Sequence, residues 1–369
     1  MKAGAGVVLR IGFVLALTGA AAPAFASARE ERADAARLIE EAHQALSWRD
    51  GTRARGLMEQ AAAAGDPEAL NGLATFVEMG VGAPPDPEFA LRLLEQAASQ
   101  GSLAAKLNIG LRLGNSERAE DHRRAVELLT DVHNNPPAPQ AREQARAIAA
   151  GGLGVAFLLG RGVMQDVARG VDYLEEADAA GDADERSLFL LARAYQRGWD
   201  VRQPDPARAF SYFERAAEQG HAESAWQLSV AYLRGAGAAA DDAKAYQWAR
   251  RSADAGNTRG VVTTAYLSSL GRGVAEDDRE ARRWYELAVE KGSPHALRGL
   301  GEMLMRGQGG ARDEARGLAY VMLAERAGLR EVAADPEARL PASSTRTEAR
   351  ARRIAENWLR THTLASASD

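Results

Sequence analysis

The 369-residue chain contains no cysteine. This absence excludes disulfides, metal sites with thiolate ligands, cysteine nucleophiles and the lipid-modified cysteine of bacterial lipoproteins. Aromatic residues make up only 6% of the chain, long β-branched runs are missing and alanine is abundant, which favours helices over strands. With 26% charged and 46% hydrophobic residues, the composition is that of a folded protein.

The chain also lacks a strong excess of positive charge. Its formal net charge is −5, which gives no electrostatic footprint for nucleic acid or for an anionic membrane surface. A length of 369 residues exceeds what one hydrophobic core usually holds. We therefore expect either several domains or an array of repeats, with no nucleic-acid partner.

The first 26 residues have the features of a signal peptide. Lys2 and Arg10 provide positive charge, residues 11–22 are apolar and uncharged, and Ala24-Phe25-Ala26 is an A-x-A cleavage site. The apolar run is shorter than the roughly 20 residues that span a bilayer. We predict cleavage after Ala26, with Ala24 and Ala26 as its small residues, and a periplasmic mature chain without membrane insertion or lipid anchor. Secretion is the alternative destination, and a buried first helix is the alternative structure.

A recurring pattern of five residues dominates the rest of the chain. An Asp is followed by Ala or Gly four residues later, a large apolar or aromatic residue at seven, a small residue at eleven and Gly at fifteen. Offsets of four, seven and eleven share one face of a helix, while Asp suits its N-cap and Gly its C-terminal stop. The six copies are Asp86-Ala90-Leu93-Ala97-Gly101, Asp166-Gly170-Tyr173-Ala177-Gly181, Asp205-Ala209-Tyr212-Ala216-Gly220, Asp241-Ala245-Trp248-Ser252-Gly256, Asp277-Ala281-Trp284-Ala288-Gly292 and Asp313-Gly317-Tyr320-Ala324-Gly328.

Two weaker copies begin at Asp50 and Asp121, the second of which has Pro136 in place of the stop glycine. The eight Asp positions then step by 36, 35, 45, 39, 36, 36 and 36 residues. A nearly constant period with occasional insertions predicts whole repeats. Between these helices lies a second pattern, an apolar-striped helix that ends in Gly-x-Gly, as at Gly160 and Gly162 or at Gly307 and Gly309.

The combined pattern, written A-x-x-LG-x-x-Y-x-x-G-x-GV…D-x-x-x-A-x-x-W-x-x-x-A-x-x-x-G, resembles the Sel-1-like repeats, relatives of the tetratricopeptide repeat. The resemblance covers about residues 50–328. It implies an all-α, right-handed superhelical solenoid of antiparallel helix hairpins, with about eight repeats and a C-terminal capping helix. It also implies that the surface of the solenoid binds other proteins.

The signal peptide and the repeats together divide the chain into four predicted segments. Residues 1–26 are the signal peptide, 27–65 an N-terminal capping hairpin, and 66–328 the repeat solenoid, irregular at 111–150. Residues 329–369 are expected to form a linker, a capping helix and a mobile tail. In the repeat at 182–220, Trp199-Asp200 follows the first turn glycine, Gly198, in place of the Gly and Val found in other copies. It could anchor a partner, although filling the longer turn is the simpler interpretation.

Little in the sequence indicates catalysis. The histidines His43, His122, His133, His221, His295 and His362 do not show metal-ligand spacing, and no G-x-S-x-G occurs. His221 and His295 are expected in turns and at helix caps. The Gly151-Gly152-Leu153-Gly154 run lies inside a helical repeat, so close packing explains it better than phosphate binding. The repeated aromatic residues Tyr173, Tyr212, Trp248, Trp284 and Tyr320 are predicted to lie in the core between hairpins.

We therefore expect no catalytic, cofactor or metal site and interpret the chain as a periplasmic scaffold or regulator. The resemblance implies that its partner is a protein or peptide on the concave surface, in exopolysaccharide or envelope regulation. Candidate contact positions lie outside the repeat pattern, for example Asn108, Gln227 and Arg298, although plain surface roles are the simpler interpretation. Two alternatives stay open: a hydrolase acting on peptidoglycan or β-lactams, as described for a cysteine-rich branch of the family, and a passive spacer in an envelope assembly.

Overall fold

A computed structural model describes residues 26–135, 139–199, 202–329 and 344–365. The predicted signal peptide, including Ala24, lies outside these residues except for Ala26, which begins the first helix. The described residues form 17 helices and no strand. This confirms the predicted all-α solenoid of helix hairpins. The chain divides into two compact units, residues 1–183 and 184–369, called here the N-terminal unit and the C-terminal unit.

The N-terminal unit consists of four hairpins, in which each odd-numbered helix is the first and each even-numbered helix the second. They are α1 (Ala26–Ser47), α2 (Gly51–Ala63), α3 (Pro67–Met79), α4 (Pro87–Ser99), α5 (Leu103–Gly114), α6 (Ala119–Asn134), α7 (Pro139–Leu159) and α8 (Val167–Ala179).

The C-terminal unit also has four hairpins, followed by one more helix that packs on the last of them. These helices are α9 (Glu185–Arg197), α10 (Pro206–Glu218), α11 (Ala222–Arg234), α12 (Asp242–Asp254), α13 (Thr258–Leu270), α14 (Asp278–Glu290), α15 (Pro294–Arg306), α16 (Glu314–Arg326) and α17 (Thr345–Leu359).

The repeated aspartates cap the second helices as predicted. Asp86 accepts a hydrogen bond from the backbone N–H of Phe89 at 2.9 Å. In each of the other five strong copies, the Asp side chain likewise accepts a hydrogen bond from the backbone N–H of the residue three positions later. These side chains satisfy backbone donors that the first turn of a helix leaves unpaired. The stop glycines close the other end: at Gly220 (φ 104°), the following N–H of His221 bonds back to Ala216 O at 3.0 Å.

The predicted cap at Asp121 is wrong. Helix α6 begins earlier, with Arg118 as an N-cap that makes no side-chain capping bond, so Asp121 lies inside the first turn. There its carboxylate accepts a hydrogen bond from Ser116 Oγ at 2.6 Å, while Ser116 Oγ accepts one from Arg118 N at 3.2 Å. A serine in the preceding loop therefore takes over part of the capping. The proposed stop at Pro136 lies outside the described residues.

The core prediction for the repeated aromatic residues needs one correction. Tyr320 is buried, but the aromatic side chains of the other four copies are only half-buried at the edge of the core. The position that is fully covered in each copy is the next one along the chain: Leu174, Phe213, Ala249, Tyr285 and Val321. The half-buried rings instead stack under guanidinium groups, as Trp248 does under Arg251 at 5.0 Å.

Glycines allow the two helices of a hairpin to approach closely. A Cβ atom on Gly154 of α7 would lie 2.6 Å from Leu174 and 2.9 Å from the carbonyl oxygen of Gly170 in α8. Gly152 is equally restricted, since its Cβ would lie 2.7 Å from Leu129 of α6. The glycine run at 151–154 is thus a packing feature inside a helix, as predicted.

Three further sequence predictions concern residues of the C-terminal unit. Trp199 is buried and packs edge-on against Tyr195 at 5.1 Å, so it fills the longer turn. His221 caps α11, but His295 lies inside α15, whose cap is Ser293. Residues 361–365, assigned to a mobile tail, pack back on the unit, where Ala365 N donates to Gly292 O at 3.1 Å.

Candidate protein-interaction surface

The first helices of consecutive hairpins lie against one another within each unit. In the N-terminal unit α1, α3, α5 and α7 form one such row, and in the C-terminal unit α11 contacts α13, which contacts α15. Side chains at equivalent positions of neighbouring first helices therefore become neighbours on one continuous face. We call this surface the first-helix face of each unit.

Polar side chains connect the first helices of the N-terminal unit. Asn108 Nδ2 on α5 donates to Asn71 Oδ1 on α3 at 2.8 Å. One helix turn or more further along, Arg112 of α5 forms an ion pair with Glu78 of α3 at 3.1 Å. Asn108, a predicted contact position, is thus already hydrogen-bonded to the adjoining repeat.

The C-terminal unit has a more extensive cluster between α11 and α13. Glu223 accepts from Arg259 at 2.8 Å through one oxygen and from Asn257 Nδ2 at 2.8 Å through the other. The Arg259 guanidinium lies 4.9 Å above the ring of Trp226. Trp226 Nε1 in turn donates to Thr263 Oγ1 at 3.1 Å. Charge, ring and hydroxyl groups of two repeats are thereby held in one fixed arrangement.

The other two predicted positions also have polar neighbours. Gln227 of α11 lies 3.5 Å from Gln196 of α9 through their amide groups, a long hydrogen bond. Arg298 forms an ion pair with Glu302 within α15 at 3.2 Å. Gln227 and Arg298 lie on different first helices of the C-terminal unit, and Asn108 belongs to the N-terminal unit. They belong to separate steps of the two first-helix faces.

Arg193 of α9 is a cation that the sequence interpretation missed. Its Nε atom is buried and has no hydrogen-bond partner among the described residues. Burial lowers the pKa of Arg193, and the nearby positive charges of Arg197 and Arg259 lower it further, while Glu223 opposes them. The neighbours of the Arg193 guanidinium are thus two cations, one carboxylate and, at 5.8 Å, the ring of Phe189.

Exposed arginines occupy the last position of three first helices in the C-terminal unit. We call Arg197, Arg234 and Arg306, which end α9, α11 and α15, the arginine row. None of the three forms an ion pair with another described residue. The corresponding residue of α13 is Leu270, which is 49% exposed, and Tyr266 one turn before it is 46% exposed.

Features of a reaction centre do not gather on these faces. Within the described part of the chain there is no group of three or more residues suited to hold a metal ion. His133 pairs with Glu176 at 3.1 Å in the N-terminal unit, whereas His221 stacks on Phe189 at 4.5 Å in the C-terminal unit. No described helix is long and apolar enough to cross a membrane.

The sequence contains a signal that could have revealed these contacts. Partners on neighbouring first helices are one repeat apart: Glu223 and Arg259 differ by 36 residues, and Asn71 and Asn108 by 37. Complementary residues at the repeat spacing therefore point to contacts across hairpins. Arg193 gives no such signal, because its surroundings depend on three different helices.

The Sel1 repeat family matches the chain in seven segments that together cover more than half of it. They are residues 49–66, 67–102, 147–182, 186–221, 222–257, 264–293 and 294–328. Residues 103–146, which contain most of the predicted irregular region, fall between two of these matches. Among curated proteins there is no match.

Two solved structures are similar to the chain over most of its length. One is c5321, a protective antigen of uropathogenic Escherichia coli strains with an SLR fold, at 18% identity and a TM-score of 0.56; the match covers 85% of this chain and 73% of that one. The other is a Sel1 repeat protein from Oxalobacter formigenes, at 24% identity and a TM-score of 0.52, covering 86% and 96%. At these identities the similarity concerns the fold.

Proposed function

The chain belongs to the Sel1 repeat family, and on that premise we propose that it is a periplasmic scaffold or regulator that holds a protein or peptide on its first-helix faces. Sel1 repeats generally mediate protein–protein interaction. The family thus favours a binding role over a catalytic one.

One observation carries the proposal: side chains outside the repeat pattern are fixed to one another across neighbouring first helices. In the C-terminal unit the bonded group of Glu223, Trp226, Arg259 and Thr263 is the best example. Because these groups are held before any partner arrives, less side-chain entropy is lost on binding. Trp, Tyr and Arg are also the residue types that contribute most to binding energy in protein interfaces.

Photo-crosslinking tests which face is used. Tyr266 on first helix α13 and Leu287 on second helix α14 belong to one hairpin and are both 46% exposed. Each would be replaced in separate chains by p-benzoylphenylalanine, expressed in the native host and irradiated. We expect a discrete crosslinked partner from position 266 and none from 287. A partner only at 287, or at neither position, would contradict the proposal.

Export is the second part of the proposal, supported by the Ala24-Phe25-Ala26 sequence. Cell fractionation by osmotic shock, followed by N-terminal sequencing, tests it. We expect the protein in the periplasmic fraction with Ser27 as its first residue. Recovery from spheroplasts with an intact N-terminus would overturn the localisation without affecting the binding role. Turnover of a murein or lactam substrate by the purified protein would overturn the non-catalytic interpretation.

A further inference from the structure

The first helices of the C-terminal unit differ in charge from the second helices that they pair with. Helices α9, α11, α13 and α15 contain seven arginines and three glutamates. The second helices α10, α12, α14 and α16 contain ten basic and ten acidic residues. The first helices of this unit thus have an excess of four positive charges over their acidic residues, in a chain whose net charge is −5, and the second helices of the same hairpins have none.

Much of this positive charge is not neutralised within the protein. Arg259 and Arg298 have carboxylate partners, in Glu223 and Glu302. Arg193 and the arginine row have no ion pair among the described residues. An arginine at the C-terminus of a helix interacts favourably with the helix dipole, and this explains each member of the arginine row separately. It does not account for Arg193, which lies in the middle of α9, 5.8 Å from the Phe189 ring, and whose buried Nε has no hydrogen-bond partner among the described residues.

An apolar patch interrupts the arginine row. Since α13 lies between α11 and α15, exposed Leu270 lies between Arg234 and Arg306 at the same position of neighbouring helices. Tyr266 extends this patch by one helix turn and is exposed as well. The face therefore offers cations on both sides of an apolar contact.

We propose that the first-helix face of the C-terminal unit binds an acidic peptide segment of its partner, with carboxylates on Arg193, Arg197, Arg234 and Arg306 and an apolar side chain on Tyr266 and Leu270. This inference rests on the proposed binding function and specifies the chemistry of its partner. The guanidinium group favours carboxylates because it donates two parallel hydrogen bonds to them. A basic or purely apolar segment would leave the four cations unpaired.

Fluorescence anisotropy with defined peptides tests the proposal. The probe is a labelled twelve-residue peptide of Asp and Glu residues with one central Leu, and the comparison peptides carry Gln and Asn instead of the acids or Ser instead of Leu. We expect the acidic peptide to bind at least tenfold more tightly than its amide counterpart, with affinity that falls as salt rises, because exposed charges are screened beyond about 8 Å at physiological salt.

Matched double variants identify the surface. Arg234→Gln with Arg306→Gln removes two members of the arginine row, and we expect an affinity loss of about tenfold or more. Arg279→Gln with Arg283→Gln removes two exposed arginines from second helix α14 of the same unit and should change affinity less than about twofold. Circular dichroism melts of both variants check that the fold is retained.

Three outcomes would overturn the inference. The acidic and amide peptides could bind equally, or both double variants could weaken binding equally, which would indicate non-specific attraction. Alternatively, analytical ultracentrifugation could reveal a dimer that dissociates only in the Arg234→Gln, Arg306→Gln variant. The occupant of the first-helix face would then be a second copy of this chain. A discrete crosslink at Tyr266 without acidic-peptide binding would leave the proposed function standing and reject this inference alone.

Discussion

The N-terminal and C-terminal units share a packing pattern but differ in charge. Residues 1–183 contain 18 basic and 25 acidic residues, whereas residues 184–369 contain 28 basic and 26 acidic ones. The last position of the first helices reflects the difference: it is Met79, Gly114 and Leu159 in α3, α5 and α7, but arginine in α9, α11 and α15. Positions that pack are constrained alike in both units, and positions on the face are free to diverge.

The two units also differ in how regularly their hairpins repeat. All four hairpins of the C-terminal unit overlap matches to the Sel1 repeat, and their first helices begin 36 or 37 residues apart. In the N-terminal unit α5 and α6 lie entirely between the matches, and α6 begins without a side-chain cap. A repeat stack tolerates one such hairpin because each hairpin packs only on its neighbours.

The largest expected effect concerns the second glycine of the Gly-x-Gly turns. At Gly273 (φ 73°) an added Cβ would collide with the carbonyl group of Asp242 at the start of the preceding second helix. We expect Gly273→Ala to reduce the free energy of unfolding by about 3 to 4 kcal/mol, through backbone strain and displacement of that helix. Urea unfolding followed by circular dichroism measures the loss.

A matched control for this variant lies in the same unit. Gly256 also has positive φ (87°), but nothing lies within 4 Å of an added Cβ. Gly256→Ala should therefore cost only about 1 kcal/mol, from the left-handed backbone alone. Equal losses at the two positions would mean that contact between hairpins adds nothing to the conformational requirement for glycine.

The next effect tests whether the irregular hairpin is as well packed as a regular one. Leu129 of α6 is buried and would contact any side chain introduced at Gly110 or Gly152, so it joins three helices of the N-terminal unit. Leu228 of α11 is its fully buried counterpart in the C-terminal unit. We expect Leu129→Ala and Leu228→Ala each to cost about 3 kcal/mol in urea unfolding.

Unequal results would sharpen the comparison between the units. A loss below about 1 kcal/mol for Leu129→Ala would indicate that the irregular hairpin relaxes around the cavity, because the cost of a buried truncation depends on how far a site collapses. The N-terminal unit would then be less rigid in the region where the repeat pattern is broken.

The packing skeleton could be predicted from sequence because it repeats. Each capping Asp and each stop glycine performs a local task within a few residues, and the copies reinforce one another. Asp121 was misassigned as a cap because the repeat pattern could not reveal that Ser116 accepts the hydrogen bond of the Arg118 backbone N–H, at the position where α6 begins. Four of the five aromatic residues were misassigned by one position, since a helical face of about 100° includes both Tyr212 and buried Phe213.

The surface could be predicted only in part. Asn108, Gln227 and Arg298 were recognisable as polar residues outside the pattern, but their partners lie on other helices. The surroundings of Arg193 depend on α9, α11 and α13 together. Such arrangements result from stacking the hairpins, and a single repeat contains no trace of them.

A smaller effect compares the polar contacts between first helices of the two units. Arg259→Gln removes an ion pair with Glu223 and a stacking contact with Trp226, so we expect a loss of about 1 kcal/mol. Arg112→Gln in the N-terminal unit removes the more exposed pair with Glu78 and should cost about 0.5 kcal/mol. Thermal unfolding at low and high salt measures both, and an equal loss would show that the ring contact contributes nothing.

The smallest effect is a difference in pH dependence. Burial lowers the pKa of His221 in the C-terminal unit below its ordinary value of 6.5, although Glu185, Glu223 and Asp184 oppose this. The unfolded chain therefore binds the proton first as pH falls through 6.5, and stability decreases from there downward. In the N-terminal unit, burial of Glu176 is outweighed by hydrogen bonds from His133 and Arg146, so its pKa lies below 4.5. The contribution of Glu176 to stability is therefore complete above about pH 4.5 and is lost only as the pH falls below that value.

His221→Asn separates these two contributions, since Asn257 already caps the next first helix at the equivalent position. The variant will lose the ring contact with Phe189, so its absolute stability is not the readout. What matters is the slope: between pH 5 and 7 the urea midpoint of the original chain should rise more steeply than that of the variant. Parallel slopes would mean that His221 takes up its proton equally in the folded and unfolded chain. The C-terminal unit would then differ from the N-terminal unit in surface charge and regularity, but not in its response to mild acid.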